Sequence, residues 1–240
     1  GTVHMLGVEV GVTGTGSIDA SGATGGGTIL VGGDYQGKNP NIQNARFTYI
    51  GPETTIKANA TKVGAGGTAI IWADDATRVY GRIEAKGGVD GGDGGFIETS
   101  GKQFLDVTRA ADASAPKGRA GTWLLDPNDI TIQTAGADTN ITGNPDFSST
   151  ADSSIVTTGT IQTALNAGTS VSITTSGGGA KNGDITVASA ITKTAGTDAS
   201  LTLSAHNNIN LNASITSTTG QLNMVFNSDS DTSGAGAVVL

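Results

Sequence analysis

The chain has 240 residues, 36% hydrophobic and 14% charged, with 38 glycines and no cysteine. That is enough apolar material for a continuous core, and it excludes disulfides and thiolate metal sites. Thirteen basic against 21 acidic side chains give a net charge of −8, opposite in sign to the footprint of a nucleic-acid binder, so no nucleic-acid partner is expected.

Abundant Thr, Ser, Asn, Val and Ile beside the glycines favour strands and turns over helices. No apolar run approaches the roughly 20 residues needed to span a bilayer. The chain opens on Gly1 with no charged-then-apolar signal segment and closes on the apolar run AVVL, which reads as a piece or processed form of a longer polypeptide.

In chain order, one phrase recurs: Ile-x-Ala, small polar residues, a glycine pair, then a short apolar strand. "IDASGATGGGTILVG" (residues 18–32), "IKANATKVGAGGTAIIWA" (56–73) and "IEAKGGVDGGDGGFIETSG" (83–101) are three copies, and "APKGRAGTWLLD" (115–126) is the tail of a fourth. Gly27, Gly67, Gly95 and Gly121 are equivalent, with one long interval followed by two shorter, nearly equal ones. A period of roughly 20 to 50 residues signals a solenoid, propeller or array. Glycine would recur because tight corners with positive φ recur, and the glycine run at 87–95 then needs no ligand. A calcium nonapeptide would need aspartate at the sixth position, which counted from Gly91 is Phe96.

The long first interval, from Gly27 to Gly67, implies an excursion, assigned to residues 33–52, "GDYQGKNPNIQNARFTYIGP". An insertion in a solenoid projects from one face and often carries interactions. Tyr35 and Tyr49, amphipathic rings suited to sugar or protein contact, lie beside Lys38, Asn39, Asn41, Gln43, Asn44 and Arg46. The candidate contact residues are therefore Tyr35, Lys38, Asn39, Asn41, Arg46 and Tyr49. The alternative is an Ω-like cap in which Tyr35, Phe47 and Tyr49 plug onto the coils.

Further on, Asp74 and Asp75 lie between Trp72 and Arg78-Val79-Tyr80. Acidic clusters on a strand face serve polysaccharide-cleaving enzymes, but adjacent residues point to opposite faces of a strand. An Asp-held turn with Arg78 as a surface ion partner is the structural reading. Residues 126–154 are rich in turn formers, with Pro127 and Pro145 as breakers, and mark a boundary between segments 1–132 and 133–240. A two-turn helix is expected near 160–167, capped by Thr160 and ended by Gly168. Beyond it, "GDITVASAIT" (183–192) matches "NNINLNASIT" (207–216), setting Ile185 against Ile209, and "ASLTLSA" (199–205) matches "GQLNMVF" (220–226), setting Ala199 against Gly220. Both alternate apolar and polar residues, as a strand with one buried face does. His4 and His206 are too far apart in the chain for a triad or zinc site, and sequons stand at Asn59, Asn140 and Asn212.

The expected fold is all-β: a right-handed parallel β-helix, or β-solenoid, with three strands per coil, an inserted loop and at most one or two short helices. The phrases "LVGGDYQGKNP" (30–40), "IIWADDATRVYGRIEAKGG" (70–88), "GGDGGFIETSGK" (91–102) and "LLDPNDITI" (124–132) resemble the repeat region of filamentous-haemagglutinin-like exoproteins, and "IQTALNAGTSVSITT" (161–175) is similar to it too. The resemblance implies two-partner secretion through an outer-membrane transporter of a Gram-negative bacterium, and display or release as an adhesin that meets a surface glycan or protein. It brings no catalytic residue and no cofactor. A β-helical polysaccharide lyase or hydrolase and an end-to-end self-associating fibre subunit are the alternatives.

Overall fold

A computed structural model describes residues 1–135, 153–178 and 181–240. The protein is an all-β parallel solenoid. Successive coils lay their strands on three faces. Sheet A stacks β1 (Thr2–Met5), β4 (Thr28–Val31), β7 (Thr68–Ala73), β10 (Phe96–Gly101), β12 (Thr122–Leu125), β15 (Ser170–Thr174), β18 (Ala199–Ser204) and β21 (Leu222–Asn227) in sequence order. Sheet B holds β2 (Glu9–Val12), β5 (Phe47–Ile50), β8 (Ala76–Val79), β11 (Phe104–Val107), β13 (Asp129–Gln133), β14 (Ser153–Thr157), β16 (Ile185–Val187), β19 (Ile209–Leu211) and β22 (Val238–Val239). The third face carries β3 (Ser17–Asp19), β6 (Thr55–Lys57) and β9 (Arg82–Glu84), then β17 (Ile191–Lys193) and β20 (Ile215–Ser217).

The strand registers reproduce the sequence periods. Thr28 pairs with Thr68, Thr68 with Phe96, and Phe96 with Thr122. Ile185 pairs with Ile209, as the first match in the second half requires. The other match is corrected: Ala199 pairs with Leu222 rather than Gly220, a slip of two positions that keeps every side chain on its face and so leaves the alternation unchanged. Inward positions stack as ladders, such as Ile29-Ala69-Ile97-Trp123-Val171-Leu201 on sheet A and Ile18-Ile56-Ile83 on the third face. They meet in one hydrophobic core. Polar groups inside find partners: Trp123 Nε1 donates to Thr99 Oγ1 at 2.9 Å, and Thr77 Oγ1 to the Ser100 carbonyl at 2.7 Å.

The glycine pairs have a different cause from the one expected. Gly27, Gly67, Gly95 and Gly121 do not adopt positive φ. Instead the coils approach so closely at this corner that a Cβ on Gly67 would collide with the carbonyl oxygen of Gly27, and one on Gly95 with that of Gly67. Only hydrogen fits between the stacked backbones. Asp93, in the glycine run, accepts from the Arg119 N–H of the next coil at 2.9 Å.

Among the described residues the order breaks once. β14 follows β13 in sequence yet lies between β11 and β13 in sheet B. Leading out of it, α1 (Thr158–Asn166) packs with β14, β15 and β17. Thr157, not Thr160, is the N-cap, its Oγ1 accepting from Thr160 N at 3.1 Å, and Gly168 at φ +79° follows the helix. Ile161, Ala164 and Leu165 are its fully buried face. The sequon at Asn140 and most of the 126–154 boundary lie outside the described residues.

Candidate functional site

Strand alternation decides what the outer face of sheet A presents. Its outward ladder runs His4-Leu30-Ile70-Glu98-Leu124-Ser172-Thr202. Leu30, Ile70 and Trp72 form a second apolar cluster outside the solenoid core. An apolar outer face must be covered, and the insertion covers it. After Gly32 the chain leaves the corner between sheets A and B and lies back across the sheet until Arg46. Residues 47–50 are strand β5, so the excursion is shorter than residues 33–52.

The insertion is seated mainly on carboxylates and an indole. Asp34 caps a 3₁₀ turn, Tyr35–Gly37, by accepting from Tyr35 N at 2.7 Å. Gln36, at φ 53°, donates its backbone N–H to both Glu98 oxygens at 3.2 Å and its Nε2 to Asp126 Oδ2 at 2.6 Å. Gly37 lies against the Trp72 ring so closely that any Cβ would collide with it. Asp74 Oδ1 accepts from Trp72 Nε1 and from Asn44 Nδ2, each at 3.1 Å. Glu98 is fully buried, and burial pushes its carboxyl up to about 8 despite the Gln36 N–H. Burial also raises the Asp126 carboxyl and, together with Glu98, the Tyr35 phenol.

The sequence-derived contact residues fall into two groups. Tyr35, Lys38, Asn39 and Asn41 belong to the insertion over sheet A. The Tyr35 ring is 48% exposed and lies 5.8 Å from that of Phe96. Lys38 Nζ donates to Gln36 Oε1 at 2.7 Å, and Asn39 bridges Asp34 Oδ2 and the Asn41 N–H. Arg46 and Tyr49 sit instead on the sheet B side. Arg46 pairs with Asp75 at 2.9 Å over the Phe47 ring, and Tyr49 lies 5.8 Å from Tyr80. Asp74 and Asp75 do not act together, since Asp75 turns to Arg46 and Gln103. Arg78 is corrected: it is buried in β8 between Tyr49 and Asp106 of the neighbouring strands, not a surface ion partner. Asn59 has both amide atoms engaged, by Glu84 and the Lys86 N–H.

Where the insertion ends, a groove of about 610 Å³ begins. Its floor is the corner between sheets A and B in five successive coils: Lys102 just after β10, Asp126 after β12, Thr174 at the end of β15, Ser204 at the end of β18, and Asp231 beyond β21. At about 4.8 Å per coil it runs for about 19 Å along the solenoid axis. The insertion walls one end with Gln36, Gly37 and Lys38, and His206 pairs with Asp231 at 3.3 Å at the other. Thr174 Oγ1, next to the Asp126 carboxyl, is buried without a hydrogen bond of good geometry. Among the described residues no group of three or more His, Asp or Glu side chains is placed to hold a metal ion. Sequence reasoning missed Glu98, Asp126 and Lys102 as neighbours of the insertion. A charged residue within β10, and another directly after the apolar β12, were the signals that could have found the first two. No protein-family model matches this chain, and no curated protein matches it significantly.

Proposed function

We propose that the chain is a structural and adhesive, non-catalytic segment of a large secreted surface protein of the filamentous-haemagglutinin-like kind, attaching a Gram-negative cell surface to a glycan or protein on a neighbouring cell or matrix. The observation that carries this reading is the groove: an open channel lined by hydroxyl, carboxylate and ammonium side chains, along a solenoid whose interior and glycine corners are taken up by stacking. Export through an outer-membrane transporter belongs to the same reading. A cysteine-free chain of stacked coils can fold progressively as it emerges, with no disulfide to form.

Beads carrying the 240-residue protein should adhere to cells and to immobilised glycans or matrix proteins without releasing product. Failure to adhere to any of these surfaces overturns the proposal. The polysaccharide-cleaving alternative draws on one observation, the raised Asp126 carboxyl in the groove. New reducing or unsaturated ends from a polysaccharide, lost in Asp126→Asn, would establish it.

A further inference from the structure

We infer that the groove on sheet A receives an extended, neutral oligosaccharide lying parallel to the solenoid axis. This rests on the adhesive reading above and names its ligand class.

At the middle of the floor Thr174 pairs with Ser204 of the next coil, so a hydroxyl recurs at one coil's rise. That rise of about 4.8 Å is close to the advance per ring of an extended β-linked pyranose chain. Over about 19 Å the groove has the length of about four rings, with Lys102 and Asp126 towards one end, this hydroxyl pair in the middle and His206 and Asp231 at the other.

Charge narrows the class. Three carboxylates, Asp74, Asp126 and Asp231, line the groove against two ammonium groups, Lys38 and Lys102, with His206 beside Asp231. The whole chain carries −8. Uronates and sulfated sugars would enter a site of their own sign. Neutral sugars carry neighbouring hydroxyl pairs, which donate to carboxylates such as Asp126 and accept from Lys102 and from the Ser and Thr hydroxyls.

The test is calorimetric or NMR titration of the full 240-residue protein with cellohexaose and mannohexaose, against hexagalacturonate and a heparin hexasaccharide. At least one neutral hexamer should bind, and the anionic ones at least tenfold more weakly. Ser204→Tyr fills the floor from the outward face of β18 and should abolish binding with melting unchanged. Asp126→Asn should weaken it about tenfold, the value of a charged hydrogen bond. Tyr49→Ala, on the other sheet, should leave it intact. Tighter binding of an anionic hexamer, or undiminished binding by a folded Ser204→Tyr variant, overturns the inference. If no hexamer binds while beads carrying the protein still adhere to glycan-stripped cells, the ligand class is wrong and the adhesive function stands. If neither occurs, both fall.

Discussion

Replacing Glu98 by Gln should change how the stability of this protein depends on pH, and the direction follows from where the carboxyl lies. In the unfolded chain Glu98 titrates near 4.5, whereas in the folded protein burial under Gln36 moves it up to about 8. Between those values the folded state holds a proton that the unfolded chain has released. Stability therefore falls as pH rises through this window, by about 1.4 kcal/mol per pH unit, or about 4 kcal/mol between pH 5 and 8. Glutamine has no proton to lose, so Glu98→Gln should match the wild type near pH 5 and exceed it progressively until about pH 8. Chemical unfolding of both proteins at pH 5 to 9 measures the difference. Part of the loss should appear as loosening of the insertion, because lifting Gln36 lets water reach the carboxylate. Of the two tryptophans, Trp123 is sealed in the core and Trp72 lies under Gly37. Acrylamide quenching of Trp72 should then rise with pH in the wild type only. A wild-type minus variant stability difference that stays flat from pH 5 to 8 would refute the reasoning.

Gly37→Val should prise the insertion from Trp72, since Gly37 has φ +61° and no room for a Cβ; a red-shifted tryptophan emission with unchanged far-ultraviolet dichroism is the expected result. Gly67→Ala should cost about 3 kcal/mol or more, because the carbonyl it meets belongs to a packed backbone that cannot yield; an unchanged denaturation midpoint would contradict the close-approach account. Lys193 is fully buried, its Nζ donating to the carbonyls of Ala195, Gly196 and Thr219. Lys193→Met keeps the stem but strands those acceptors and should cost about 2 kcal/mol or more in chemical unfolding.

The parallel solenoid was legible because its period is written twice. Glycine pairs mark one corner in the first half, and alternating Ile, Val and Leu mark strands in the second. The registers that join Thr28 to Thr68, Thr68 to Phe96, Phe96 to Thr122 and Ile185 to Ile209 follow directly from those marks. The slip that moves Ala199 from Gly220 to Leu222 passed unseen because a shift of two positions preserves the pattern. The reason for the paired glycines was hidden too: sequence does not distinguish a glycine needed for its dihedral angle from one needed for the space beside it. The reversal of β14 and β13 is a matter of which neighbour a strand pairs with, and both have the same alternation. Tyr35 and Tyr49 are close in sequence but are parted by a corner, so a contact surface assembled from sequence proximity joined two faces.

The strand sequences themselves say where the outer face is free. A strand covered on both sides reads as a nearly continuous apolar run, whereas one with a solvated face alternates. Thr28–Val31 reads TILV and Thr68–Ala73 reads TAIIWA, both continuous, and both lie beneath the insertion or its edge. Ser170–Thr174 reads SVSIT and Ala199–Ser204 reads ASLTLS, both alternating, and both carry the floor of the groove. The change falls between them, at Phe96–Gly101 and Thr122–Leu125, where Glu98 and Asp126 anchor the last residues of the cover. Had the insertion been a contact loop projecting into solvent, Leu30, Ile70 and Trp72 would have been left as an exposed apolar patch. The insertion therefore has to pack, and its packing places the free surface beyond it, along the polar ladder of the later coils.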